Sequence, residues 1–428
     1  MSENNVSRRA LLGRGSALAM GLLMGGPTLQ AEALEFEPRP THDDPPATPV
    51  TVALIGAGDQ GRELLKYLAY VPGAVVKYVC DTYDSAGFQK RALENAPKAT
   101  FVTDYKKVLA DKDVQGVFIA TASHQHRQVV IDALAAGKHV YCEAPLASSI
   151  EEAKAIAQAG KAAGTIFQVG LQNRTNGQHH HVKHFIDTGA LGGTMARVET
   201  KWNKKTSWRR TAPTGDREET LNWRLRKATS GGLPAEIGIH QVDVASWYLK
   251  AAPLSVTGFG AVNLWKDGRD VADTVSCVFE YPNAVRVTFD ATLANSFGAG
   301  YELFQGNEAA VLLRDARAWL FKEADATALG WEVYARREKV GDETGIMLVA
   351  DASKLLAQGK SPSDFANPDP QRTPFYFACE AFIQGIRTGK SEGPGAQEGF
   401  TATVVALKAH EAVQTGNKIA FTPDMFTL

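Results

Sequence analysis

Residues 51–61 read Thr-Val-Ala-Leu-Ile-Gly-Ala-Gly-Asp-Gln-Gly, a β-branched apolar run that stops at Gly-x-Gly-x-x-Gly and passes straight into a helical pattern, Glu63–Leu68. Each glycine answers a different steric demand. Gly56 permits the tight turn off the strand, Gly58 lets backbone approach a pyrophosphate, and Gly61 allows helix and strand to pack closely. The first helical turn, with Asp59 and Gln60, offers unpaired N–H groups and a positive dipole end to phosphate oxygens. In a chain with 39 glycines the motif alone is weak, so its context decides. A second apolar run, Val75–Cys80, ends in Asp81, twenty residues after Gly61. A carboxylate at that offset accepts the adenosine ribose hydroxyls and repels a 2′-phosphate, which favours NAD over NADP.

From residue 50 to 170 strands are expected near 51–55, 74–80, 99–102, 115–120, 138–142 and 165–169, with helical patterns between them, such as Ile150–Ala163. That alternation implies an α/β fold, a parallel sheet with helices on both faces. Ligands of such sheets lie at the carboxyl ends of the strands. The fourth strand exits into Thr121-Ala-Ser-His-Gln-His126 and the fifth into Cys142-Glu143-Ala144-Pro145-Leu146. Beyond Gly170 the period changes. A helix at 173–188 precedes period-two strands at 195–202, 254–262, 274–280, 284–291, 301–305 and 309–313, then closing helices at 375–388 and 399–414. This reads as a C-terminal α+β domain with a large, mostly antiparallel open sheet.

The first 33 residues stand apart from the fold. Ser7-Arg8-Arg9-Ala10-Leu11-Leu12 precedes a mildly apolar run to Met24, and Ala31-Glu32-Ala33 offers a small-x-small cleavage site. The paired arginines point to a twin-arginine export signal and a periplasmic destination. A folded, cofactor-loaded passenger suits that route, and such a passenger must hold its cofactor tightly after export. The proline-rich stretch 34–49 reads as an extended linker. A formal net charge of −1 gives no electrostatic footprint for nucleic acid, and no downstream apolar run reaches the length of a membrane span. The four cysteines lack metal-type spacing and read as buried thiols.

The glycine loop, Thr121–His126, Ala136-Gly-Lys-His-Val140, Glu143-Ala-Pro145 and Gly238-Ile-His-Gln-Val-Asp243 together resemble the glucose–fructose oxidoreductase / inositol dehydrogenase / MocA (Gfo/Idh/MocA) family of sugar-active nicotinamide enzymes. The resemblance covers most of the chain after the linker. It implies a Rossmann domain over 50–170 and a substrate-binding, oligomerising domain over 171–428. It implies Glu143 beside the nicotinamide ribose, a cis peptide before Pro145, and a homodimer or homotetramer built partly on the open sheet face. With the loop residues already named, Thr121, His126, Glu143, Ala144, Pro145 and Gln172 complete the cofactor assignment. The usual Glu-Lys-Pro motif supplies a lysine that moves the proton during hydride transfer; Ala144 cannot. NAD-dependent glycoside hydrolases resembling this family also carry a small apolar residue there.

His240 is the leading catalytic candidate. An imidazole with a carboxylate one helical turn away, Asp243, is suited to exchanging a proton near neutral pH. His126 is the second, placed by the exit of the fourth strand, and Glu236 stands where the family usually has aspartate. Arg174, Lys201, Trp223, Arg224, Glu236 and His240 are the expected substrate contacts, since aromatic faces and long cations stack on sugar rings and hold anionic substituents. The arginine-rich stretch 208–226 is read as a cover for the site, and a lysine near it as a replacement for the missing one. His179–His181 with His184 lacks a supporting ligand pattern, so no metal is expected. The expected activity is NAD-dependent oxidation or reduction of a carbohydrate hydroxyl. Two alternatives stand beside it: a redox-neutral NAD-dependent glycoside hydrolase or lyase, and a catalytically idle sugar-binding protein.

Overall fold

The computed structural model describes residues 48–328, 332, 335–350 and 372–428. The leader, and the linker up to residue 47, lie outside the described residues.

Strands β1 (Val50–Ile55), β2 (Ala74–Cys80), β3 (Thr100–Val102), β4 (Gly116–Ile119), β5 (His139–Glu143) and β6 (Phe167–Gly170) form a wholly parallel sheet in the order β3-β2-β1-β4-β5-β6. Every residue of β4 is buried, as a strand covered on both faces requires. The covering helices include α1 (Asp59–Leu68), α2 (Ala86–Ala92), α3 (Tyr105–Ala110), α4 (His126–Ala135) and α5 (Ile150–Ala162). Side chains of Ser85, Asp104 and Ser149 cap the starts of α2, α3 and α5, whereas α1 has no side-chain cap. Strand order reverses between β1 and β4, which opens a crevice at their carboxyl ends.

The second sheet contains β7 (Met195–Asn203), β8 (Ser255–Ala261), β9 (Thr274–Glu280), β10 (Arg286–Thr292), β11 (Gly300–Gly306), β12 (Ala309–Arg314), β13 (Arg317–Lys322), β14 (Arg337–Val340), β15 (Glu343–Leu348) and β16 (Ile419–Ala420). Its order is β14-β15-β13-β12-β11-β7-β10-β9-β8-β16, antiparallel throughout except for the β7–β10 pair. Between β7 and β8 lie a short helix, α7 (Glu218–Leu221), and α8 (Ile239–Leu249). Val198, Phe289, Phe304 and Val311 point to one face and join the core that receives Val242 and Ala245 of α8. The opposite face carries Glu199, Lys201 and Tyr301, with Phe259 66% exposed near one end.

The closing helices α9 (Pro374–Thr388) and α10 (Ala396–Thr415) form as expected, but α9 returns to the first sheet. Phe382 packs edge-on at 4.9 Å from Phe118 of β4, in one core cluster with β1 and α1. Three further details differ from expectation. The helix at 173 is a short 3-10 turn (Gln172–Thr175) followed by α6 (Gly177–Asp187), because Asn176 caps the latter through Gln178 N–H. Strand β10 starts at Arg286, since Asn283 and Ala284 turn at φ 59° and 61°. The sheet continues past Leu313 because Asp315 and Ala316, at φ 50° and 60°, form a hairpin turn without glycine.

Candidate active site

At the end of β1 the chain turns through Gly56 at φ 96°, where an added Cβ would lie 2.6 Å from the Ala120 and Thr121 backbone. A Cβ on Gly61 would lie 2.0 Å from the Gly56 carbonyl oxygen, so helix α1 can approach the strand only without one. Above Gly58 a Cβ would meet nothing within 4 Å. That open space lies over the uncapped start of α1, which fits a pyrophosphate. Asp81 accepts Ala57 N–H and Tyr83 N–H at 2.9 Å, one on each oxygen. Its carboxylate thereby fixes the glycine loop and keeps lone pairs for ribose hydroxyls. Asp59, in the first turn of α1, pairs with Arg62 at 2.5 Å and with Arg210 of the second half.

Glu143 ends β5 fully buried among donors. Gln60 donates to it at 3.1 Å, Gln172 at 3.1 and 3.3 Å, and Tyr141 at 3.3 Å. Burial pushes its pKa up to about 7 against those donors. The Ala144–Pro145 peptide is cis, and Thr121 presents a buried hydroxyl without a partner among the described residues at the exit of β4. An unanswered hydroxyl and a donor-rich carboxyl at the crevice edge fit the ribose and amide groups of a dinucleotide.

Helix α8 is entered through one π-helical turn, Pro234–Gly238, a geometry often met at functional sites. Glu236 in that turn is buried, touching Ser123 and Ser230 hydroxyls at 3.4 and 3.3 Å and Arg224 at 3.4 Å. Burial raises its pKa, with Arg224 opposing. Ser123 belongs to the exit of β4, so Glu236 joins the two halves at the crevice. Nearby, Trp223 lies 5.8 Å from the His124 ring and Arg224 lies 4.5 Å from Trp223. His240 follows in the first turn of α8, half-buried and with no hydrogen-bond partner among the described residues. Desolvation holds its pKa down to about 4, so the ring is a neutral acceptor at pH 7.

Four expected roles change. Asp243 does not serve His240: both its oxygens accept from Arg174, at 2.8 Å each, in a buried bidentate pair. Arg174 is correspondingly committed to joining the end of the first domain to α8, with its guanidinium 5.4 Å from Trp247, rather than to sugar hydroxyls. Burial pushes the Asp243 carboxyl up and the guanidinium pulls it back. His126 is buried with Nδ1 3.2 Å from the Pro145 and Leu146 carbonyls and Nε2 3.1 Å from the Thr121 carbonyl. The neutral ring has one N–H to give to one of these carbonyls, and the Cys142 Sγ lies 3.5 Å from Nδ1. At 1% exposure it sits between the β4 exit and the Pro145 turn, closed off from proton exchange with substrate. Lys201 lies on the far face of the second sheet, 5.6 Å from the Tyr301 ring, and neither binds in the crevice nor replaces the missing lysine there.

Sequence reasoning missed His124, whose Nδ1 is buried without a partner among the described residues, and the serines at Glu236. The spacing of two histidines, two residues apart at a strand exit, was the available signal for His124. All four cysteines are buried free thiols.

Residues 50–171 match the model of an oxidoreductase family with an NAD-binding Rossmann fold, GFO_IDH_MocA, and residues 179–311 match the GFO/IDH/MocA C-terminal domain. An inositol 2-dehydrogenase of Acidothermus cellulolyticus is 25% identical over 376 residues, 87% of this chain and 95% of that one. A levoglucosan dehydrogenase of Pseudarthrobacter phenanthrenivorans is 28% identical over 274 residues, 57% of this chain and 67% of that one. In fold, the chain is similar to a levoglucosan dehydrogenase solved with NADH and levoglucosan, with TM-score 0.70 and 20% identity over 87% of this chain and 99% of that one. With both halves of the fold matched, this protein belongs to the Gfo/Idh/MocA family of NAD-binding oxidoreductases.

Proposed function

We propose that this protein is an NAD-dependent oxidoreductase acting on a hydroxyl of a carbohydrate. The observation that carries the reading is His240: a neutral imidazole, unpartnered among the described residues, opening a helix whose preceding turn, through Glu236, touches the carboxyl end of β4. Bound NAD supplies a nicotinamide that accepts hydride from a carbinol carbon. His240 takes the hydroxyl proton as that C–H bond is broken, and returns it in the reverse direction. Glu143, Gln60 and Gln172 hold and orient the ribose end of the cofactor. Arg174 and Asp243 fix α8 against the first domain, so the imidazole does not drift. Trp223 and Arg224 offer an aromatic face and a guanidinium fork to a ring with several hydroxyls.

Ala144 favours a second reading, a redox-neutral cycle in which a sugar hydroxyl is oxidised transiently, the aglycone is eliminated, water adds in its place, and the carbonyl is reduced back. Net reduction of added NAD by free polyols and aldoses supports the dehydrogenase. Nitrophenol release from aryl glycosides, without net NADH and with solvent deuterium entering the sugar, supports the redox-neutral cycle and overturns the first. The paired Arg8-Arg9 and the small-residue site at 31–33 support export to the periplasm by the twin-arginine route. The exposed Phe259 and Val278 on the far face of the second sheet support a homodimer or homotetramer assembled there. A light-scattering mass of a single chain argues against that assembly.

A further inference from the structure

The connection from β7 to the π-helical turn, residues 204–233, is long, and its own side chains hold it in place. Arg209 pairs with Glu218 and with Asp267, and the buried Arg269 bonds the Ser207 carbonyl. Asn222, 4% exposed, accepts from Arg210 N–H at 2.7 Å and donates to the Arg210 carbonyl at 3.0 Å. The backbone at Arg210 is therefore anchored in the second domain. Its guanidinium nevertheless crosses to Asp59, at the start of α1. A few residues on, Arg217 lies 4.3 Å from the ring of Tyr83, whose N–H is held by Asp81. One crossing falls on the first turn of α1, next to the glycine loop, and the other on Tyr83, two residues past the ribose carboxylate.

The charge pattern gives the crossing a purpose. A carboxylate in the first turn of α1 repels the pyrophosphate that the same turn must receive. Arg62 alone neutralises Asp59; Arg210 adds a positive charge, in a fork suited to phosphate oxygens. We infer that the second domain completes the NAD site from outside: Arg210 and Arg217 strap residues 204–233 across the dinucleotide, and NAD leaves only after both contacts break. The inference rests on the cofactor assignment and goes beyond it. It also answers the need of an exported enzyme to keep its cofactor. Both contacts are partly exposed, with side-chain exposures of 48% for Arg210 and 51% for Asp59, so each slows release by about 3–5-fold and the two together by about 10–30-fold.

The test is the dissociation rate of NADH from full-length protein, read from loss of energy-transfer fluorescence on mixing with excess NAD. Arg210→Ala and Arg217→Ala should each release NADH about 3–5-fold faster, and the double variant about 10–30-fold faster. Release from the wild type should accelerate with salt, since the crossing at Asp59 is screened, while release from the double variant should be nearly independent of salt. Arg210→Lys keeps the charge and should fall between. If Arg210→Ala does not fold, Arg210→Gln and Arg217→Ala carry the same test. Release from the double variant at the wild-type rate, or with the same salt dependence, overturns the strap. Wild-type protein that never binds NADH overturns the cofactor assignment instead.

Discussion

Glu143 lies at the point where the cofactor site meets the stability of the fold, and its replacement by glutamine has a calculable signature. Burial raises the carboxyl from its ordinary 4.5 to about 7, with Gln60, Gln172 and Tyr141 opposing. At about 1.4 kcal/mol per pH unit, the ionised group costs the folded state about 3 kcal/mol. A raised carboxyl pKa means that the folded protein binds more protons than the unfolded chain between about pH 4.5 and pH 7. Stability of the cofactor-free protein should therefore fall by ~3 kcal/mol across that window and flatten above it. Glu143→Gln removes this slope. Its amide also meets the amides of Gln60 and Gln172, which imposes a constant offset but no pH dependence. Urea unfolding of stripped protein, wild type and variant, at intervals across that range measures the difference in slope. Parallel curves would mean that Glu143 titrates as a solvated carboxyl and that burial does not raise its pKa.

His240→Ala should reduce turnover by about 10²–10⁴-fold while NADH binding, followed by fluorescence, is retained; unchanged turnover removes the imidazole from the reaction. Arg174→Met strands the buried Asp243 carboxylate and should cost about 3–5 kcal/mol in thermal or urea unfolding, with Asp243→Asn in the same background recovering part of it. Gly61→Ala places a methyl group against the Gly56 carbonyl and should abolish NADH binding in calorimetry, since the glycine loop cannot close over α1.

The first domain was legible because its signals are local and agree with one another. The apolar run of β1, three glycines at fixed offsets and Asp81 at the end of β2 each have one steric or electrostatic reason, and the sheet reproduces them. The second sheet was legible in its alternation but not in its extent. Asp315 and Ala316 turn a hairpin with left-handed backbone and no glycine, so sequence gave no punctuation before β13. The partners of charged side chains were the least legible part. Spacing put Asp243 one turn from His240, yet Arg174, 69 residues away along the chain, takes both oxygens. Strand parity alone could have removed Lys201: it alternates with Val198 and Thr200, which are buried on the core face. His126 was misread for the opposite reason, since a strand exit places a residue near the crevice without aiming its side chain there. The carbonyls of Thr121, Pro145 and Leu146 hold the ring.

In the proposed reaction hydride passes between bound NAD and a sugar carbon while His240 takes the hydroxyl proton. The most direct measurement is single-turnover absorbance of reduced nicotinamide on mixing NAD-loaded protein with carbohydrates carrying deuterium at the carbinol position. The expected result is a rise in absorbance slowed by the deuterium, and loss of that rise in His240→Ala with cofactor still bound. No absorbance change with any carbohydrate, or a rise that His240→Ala leaves intact, would contradict it.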